Sequence, residues 1–326
     1  MRNVLIFLLS LFSLLCNGQS PKLFTTDKEL SSSLINQIYQ DRNGFIWIAT
    51  EDGLNRYDGA KFTIYKHEPN NEHSLAHNFV RTVFEDSKGH LLIGTYIGIQ
   101  MYDPATDNFT PLAKLEDTGE TLESNINSFI ERKNGEIWVS GNVLCKLNIK
   151  DHLLTVRKVD IAVTSPGSLF EDKKQNVWMA KGEEGVYQLT PDNQLTLHLS
   201  KDNGYVKSIC EDQRGNIYVG SIRKGLFIYD KECKTFVPVD LKEKGELPVC
   251  FLYSGIPNEL YIGTDGKGVA IYNIRTHEIS EYKFDNNYFD SGNSKIHSIL
   301  KDNSGNLWLA VYQKGVILIP ARTNSF

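Results

Sequence analysis

The stretch Ile38-Tyr39-Gln40-Asp41-Arg42-Asn43-Gly44-Phe45-Ile46-Trp47-Ile48-Ala49-Thr50-Glu51-Asp52-Gly53-Leu54-Asn55-Arg56-Tyr57-Asp58-Gly59 decides the fold. It reads as the end of one strand, an Asp-x-x-Gly turn, a second apolar strand, a short polar loop and a third strand. Variants of its first half return at Glu85-Asp86-Ser87-Lys88-Gly89, Glu131 to Trp138, Glu171 to Trp178, Glu211 to Tyr218, Ser254 to Tyr261 and Lys301 to Trp308. The large residues that close each phrase, Trp47, Leu92, Trp138, Trp178, Tyr218, Tyr261 and Trp308, stand 40 to 47 residues apart. That period is the length of a four-stranded propeller blade.

Comparing the seven copies with one another gives each position a physical role. Two residues after each anchor a small residue recurs, Ala49, Gly94, Ser140, Ala180, Gly220, Gly263 and Ala310, as expected where neighbouring blades pass close. Six or seven residues after the anchor stand Gly53, Gly98, Gly185, Gly225, Gly268 and Gly315, which suit a turn of positive φ. The aspartate of each Asp-x-x-Gly turn can accept hydrogen bonds from turn amides. Recurrence once per copy favours this capping role over calcium binding or acid catalysis. Arg132, Gln175, Gly255 and Asn258 break the pattern, so the third, fourth and sixth turns are expected to be less regular. Anchored on the first copy, the strands are expected at Ile35 to Gln40, Phe45 to Thr50, Leu54 to Asp58 and Lys61 to Lys66.

Counting forward from Ile319 places the start of a fourth strand of the last copy at Phe326, the final residue of the sequence. A spare apolar segment, Lys22-Leu23-Phe24-Thr25-Thr26, precedes the first copy at about the right distance. Pairing it with Val316 to Ile319 would close the ring and remove exposed sheet edges. The expected fold is thus all-β: a seven-bladed propeller of four-stranded antiparallel blades closed by an N-terminal strand, spanning residues 19–326 after a leader at 1–18.

The leader is read from Met1-Arg2, the apolar run Val4 to Leu15, and the polar Asn17-Gly18-Gln19-Ser20. The run is shorter than the roughly 20 residues that span a bilayer, which favours a cleaved secretory signal over a membrane anchor. Cleavage is expected after Gly18. Cys16 raises lipoprotein processing as an alternative, against which stand the bulky Leu14 and Leu15. The mature chain is expected in the periplasm, with no further membrane span. With 35 basic and 40 acidic residues the chain has a net charge of −5, and no basic patterning points to nucleic acid. Cys145, Cys210, Cys233 and Cys250 remain after the leader; an oxidising compartment permits disulfides among them, and unpaired thiols are the favoured reading.

The opening stretch closely resembles the two-component-regulator propeller repeat, which typifies the periplasmic sensor region of hybrid two-component system histidine kinases. The resemblance implies a noncatalytic sensor or ligand-binding propeller responding to carbohydrate breakdown products. In such sensors a second propeller, a β-sandwich, a membrane helix and a histidine kinase follow. This sequence is similar to the first propeller alone and carries no phosphoacceptor segment or nucleotide-binding glycine motif. Whether it is a truncated sensor, a fragment or a free-standing module is left open.

No chemistry emerges from the other motifs. The eight histidines show no metal-ligand spacing, and no Gly-x-Ser-x-Gly elbow or phosphate-binding loop occurs. No catalytic residue, metal or cofactor is therefore expected. Recognition is expected in the loops joining the second and third strands, which differ in chemistry although their flanks match. Tyr96, Arg223, Asp265 and Tyr312 are the candidate ligand-binding residues, since aromatic faces with charged neighbours suit a sugar. The expected partners are an oligosaccharide ligand, and a second copy or further sensor domains. The alternatives are a protein-interaction scaffold, which would show an apolar mouth, and a carbohydrate-active lyase or sialidase-like enzyme, which would need convergent carboxylates.

Overall fold

Ile46–Thr50 and Leu91–Thr95 are buried at every residue, which a strand achieves when both of its faces are covered. The computed structural model describes residues 20–199, 204–241, 247–284 and 287–321 and shows what covers them. Ile46 and Ile48 share a core with Trp308 and Ala310, whereas Trp47 and Ala49 share the next core with Leu91 and Ile93. Strand alternation thus sends successive side chains into two different cores.

The same division repeats around the ring. Leu92 packs with Ile137 and Val139, Trp138 with Val177 and Met179, and Trp178 with Ile217 and Val219. Tyr218 packs with Leu260 and Ile262, and Tyr261 with Leu307 and Leu309. Each anchor therefore faces the following blade, and Trp308 faces the first. The small residue two positions on shares that face: a Cβ on Gly94 would lie 2.6 Å from Ile126, and one on Gly220 would lie 2.4 Å from Val249.

Five of the seven sheets have sequential strand order, and the first strands of all seven contact one another around the axis. The first blade comprises Ile35–Gln40, Ile46–Thr50, Gly53–Tyr57 and Phe62–Tyr65, within one residue of expectation at each inner boundary. The last blade takes its outer strand from Lys22–Phe24, antiparallel to Gly315–Ile319, with Lys22 opposite Leu318 and Phe24 opposite Val316. Phe24 is fully buried and stacks on Trp308 at 5.8 Å. Gly315, at φ 109, lies under the Phe24 carbonyl, where a Cβ would come within 2.1 Å. The expected leader and the segment ending at Phe326 lie outside the described residues.

Three local expectations need correction. The fourth turn is as regular as the others, because Gln175 itself adopts the left-handed conformation at φ 66 and the Asp172 carboxylate accepts from the Lys174 and Asn176 amides. The third keeps the same backbone bonds, with Glu136 in place of the aspartate as acceptor for Trp138 Nε1. The sixth is different, a tight hairpin across Pro257-Asn258. Gly98 does not have positive φ, although its five counterparts do; the Leu122 carbonyl, 2.9 Å from where its Cβ would be, explains the glycine instead. Finally, the third blade has five strands, since Lys114–Leu115 adds in parallel to Leu153–Lys158.

The turn aspartates do more than cap the turn. Asp41, Asp172 and Asp302 each accept a hydrogen bond from the indole N–H of their own anchor, Trp47, Trp178 and Trp308, at 2.8 to 2.9 Å. A buried indole donor is thereby satisfied by a buried carboxylate that also holds two turn amides. Glu85, Glu131, Glu171 and Glu211, which end their first strands, accept turn amides of the preceding blade at Arg42, Ser87, Lys133 and Lys173. The four cysteines among the described residues are free thiols, with Cys145, Cys210 and Cys250 buried and Cys233 exposed.

Candidate functional site

The end of the propeller opposite these turns carries a repeated irregularity. In five blades the pairing of first and second strands slips by one residue, at Asn36, Arg81, Lys207, Cys250 and His297. In the third and fourth blades Asn127 and Gly167 donate to Ser140 and Ala180, whose partners are already the next residues, Ser128 and Ser168. A β-bulge leaves its extra residue unpaired and re-aims that side chain. Five bulges, with Asn127 and Gly167 at the corresponding places of the third and fourth blades, therefore form one ring of variable chemistry.

That ring lines a central cavity of about 600 Å³, to which Asn36, Arg81, Asn127, Lys207, Cys250 and His297 all contribute. Ser165, Lys181 and Tyr205 also reach it. The volume is that of a small-ligand site. One residue deeper, the positions Gln37, Ser128, Ser208 and Ser298 serve structure, accepting the backbone N–H groups of Val83, Leu169, Leu252 and Ile38 on the next blade.

The loops between second and third strands stand around this mouth. Five of them are seated by a backbone bond to the residue before a first strand, as from Tyr96 to Phe79, Asp265 to Pro248 and Tyr312 to Lys295. Of the four residues singled out in the sequence, Asp265 and Tyr312 come together: the Asp265 carboxylate pairs with Lys295 at 2.7 Å, and that ammonium lies 5.7 Å from the Tyr312 ring. Tyr312 also lies against His297, with ring centroids 5.0 Å apart. Tyr96 belongs to a separate group with His77 and Phe79, and the Arg81 guanidinium lies over Phe79. Arg223 is largely exposed and pairs with Glu183 at 3.3 Å. None of the four lines the cavity itself; Tyr312 lies against the lining residue His297, and Tyr96 against Phe79, over which the lining Arg81 lies.

Two electrostatic features mark the interior. Burial depresses the Arg81 guanidinium's pKa, and Arg81 makes no ion pair among the described residues. The pKa of His297 falls to about 4, first through burial and then through the nearby Lys207. Cys250, by contrast, is buried with its thiol pKa raised, so it offers no ready nucleophile. Among the described residues no group of three or more His, Cys, Asp or Glu is placed to hold a metal ion.

Asn36, Arg81, Asn127, Lys207 and His297 went unnoticed in the sequence. Their signal was present: each follows the apolar residue that opens a first strand, in a context that otherwise repeats, at Ile35-Asn36, Val80-Arg81, Ile126-Asn127, Val206-Lys207 and Ile296-His297.

The pattern of the "Two component regulator propeller" family matches residues 29–52, 74–96 and 200–223. A curated protein from Formosa agariphila, Histidine kinase P4, is 39% identical over 83 residues, which are 23% of this chain and 6% of that protein. Among solved structures, the extracellular domain of the hybrid two component system BT3049 from B. thetaiotaomicron is 21% identical with a TM-score of 0.79 over 92% of this chain and 41% of that one. The corresponding domain of BT4673 from B. thetaiotaomicron is 16% identical with a TM-score of 0.75, over 94% of this chain and 43% of that one. The chain thus spans less than half the length of these relatives. Among the described residues no helix is long and apolar enough to cross a membrane. Three of its repeats thus match the pattern of that family, and its fold is that of the extracellular propellers of such systems.

Proposed function

We propose that this chain is a noncatalytic sensor propeller that binds an oligosaccharide at the channel mouth. One observation carries the reading: of three exposed tyrosines, Tyr205 (43%) lines the polar cavity, Tyr312 (38%) lies against the lining His297, and Tyr96 (54%) packs on Phe79 beside the lining Arg81. Sugars stack their C–H faces on aromatic rings while their hydroxyls need amide, hydroxyl and charged partners, and Asn36, Asn127 and Ser165 offer these. The polar lining favours a small ligand over a docked protein, and no carboxylate lines the cavity among the described residues, which speaks against a lyase or sialidase-like site.

In this reading the chain is exported by its leader to the periplasm and supplies the N-terminal recognition module of a hybrid two-component sensor. The relatives' greater length supports further domains that act on the bound state. Calorimetric titration against an oligosaccharide panel tests the reading, with Tyr96→Ala and Tyr312→Ala as site controls. Binding that survives both substitutions unchanged places the site elsewhere, and cleavage of any panel member by the purified protein overturns the noncatalytic assignment.

A further inference from the structure

The charge of the cavity lining is one-sided. Arg81, Lys181 and Lys207 reach it together with His297, and no aspartate or glutamate does so among the described residues. Lys181 is tied to Glu184 at 2.8 Å, but Arg81 and Lys207 have no carboxylate within ion-pair distance among the described residues. The rim carboxylates are elsewhere: Asp265 is held by Lys295, and Glu51 acts on Arg81 only at longer range.

Leaving Arg81 unpaired is costly, because part of its hydration is replaced by protein without a counter-charge, while the exposed Lys207 adds a second positive charge to the same cavity. Arg81 makes one hydrogen bond, to the Asn125 side-chain oxygen, and the rest of its planar donor fork is free of carboxylates. That fork is shaped for bidentate contact with a carboxylate or sulfate. Arg81 and Lys207 occupy equivalent bulge positions on the second and fifth blades, so both are aimed at the same axis by backbone geometry and not by flexible loops. The His297 pKa is depressed first by burial and then by Lys207 and Lys295, against the opposing pull of Asp265.

We propose that the channel mouth is selective for an acidic saccharide, whose carboxylate or sulfate is held by Arg81 and Lys207 while its rings lie against Tyr205 and the rim tyrosines. The inference rests on the oligosaccharide reading above and narrows its ligand class. A neutral sugar would leave both cations uncompensated, and an acidic one completes the charge that the chain does not supply.

The test is calorimetry with three probes: a galacturonic acid trisaccharide, its fully methyl-esterified twin, and a sulfated disaccharide. The acid or the sulfated probe is expected to bind at least about tenfold more tightly than the ester, with affinity falling as sodium chloride rises. Arg81→Gln and Lys207→Gln should each weaken the acidic probe about tenfold and the ester distinctly less, and Arg81→Lys should recover only part of the loss. Thermal unfolding of each variant separates lost binding from lost fold. If the ester binds as tightly as the acid, the inference fails while the oligosaccharide reading stands. If none of the three binds, both fail. Preference for the carboxylate or the sulfate decides between the two acidic groups.

Discussion

Replacing Phe24 with alanine measures how much the closing strand contributes to the ring. Phe24 is fully buried and touches three rings, Trp308 at 5.8 Å, Tyr57 at 5.4 Å and Phe62 at 5.0 Å between centroids. Tyr57 and Phe62 belong to the first blade and Trp308 to the last, so this one side chain fills the core at the seam. Truncating a buried phenylalanine costs about 3 to 5 kcal/mol, and partial collapse of the aromatic cluster decides where in that range it falls. With an unfolding entropy of about 2.1 cal/mol/K per residue over roughly 300 residues, this corresponds to a fall in Tm of about 5 to 8 °C if unfolding is cooperative. Leu23 supplies the control, since it is only partly buried and belongs to the neighbouring core on the other face of the strand. Urea and thermal unfolding of Phe24→Ala, Leu23→Ala and the parent chain provide the assay. Deleting residues 20–26 should go further, freeing the edge of Gly315–Ile319 and producing aggregates on size exclusion. A Phe24→Ala variant within about 0.5 kcal/mol of the parent, or a deletion that stays monomeric and equally stable, would show that the closing strand is not docked as argued.

Asp302 accepts from the Ser304 and Asn306 amides, the Asn306 side chain and the Trp308 indole, so Asp302→Ala should cost about 3 kcal/mol or more in urea unfolding through stranded donors, and Asp302→Asn distinctly less. His297 has a folded pKa lowered to about 4 by burial and by Lys207, so between that value and its ordinary value near 6.5 the unfolded chain binds a proton that the folded chain refuses. Stability is therefore expected to fall as pH drops through this window, and His297→Asn should flatten that part of the profile of unfolding midpoint against pH. Of Cys145, Cys210, Cys233 and Cys250, only Cys233 is exposed, so a maleimide should label one of these four under native conditions and all four in denaturant, as counted by mass spectrometry. A rapid second native label would mean that one of the buried thiols is accessible.

The sequence by itself determined the architecture, for a physical reason visible in its copies. A blade is local: its strands follow one another within 40 to 47 residues, its turns are set by aspartate and glycine, and its anchor and small residue recur because every interface between blades is the same interface. Even the closing strand was legible, since an apolar segment, Lys22 to Thr26, stood spare ahead of the first copy. Departures came where a neighbour overrode local preference. Gln175 took a conformation expected of glycine because Asp172 satisfies the turn around it, and Gly98 is required by the nearby Leu122 carbonyl instead of by its own φ. The fifth strand of the third blade arose from Lys114–Leu115, too short to read as a strand until Leu153–Lys158 offered an edge. The candidate site depended most on tertiary structure. Asn36, Arg81, Asn127, Lys207 and His297 lie tens of residues apart with no common chemistry, and only closure of the ring brings their bulges to one axis. Convergence of unlike side chains is a property of the closed circle, which a repeat encodes, whereas the chemistry gathered there is what each copy holds separately.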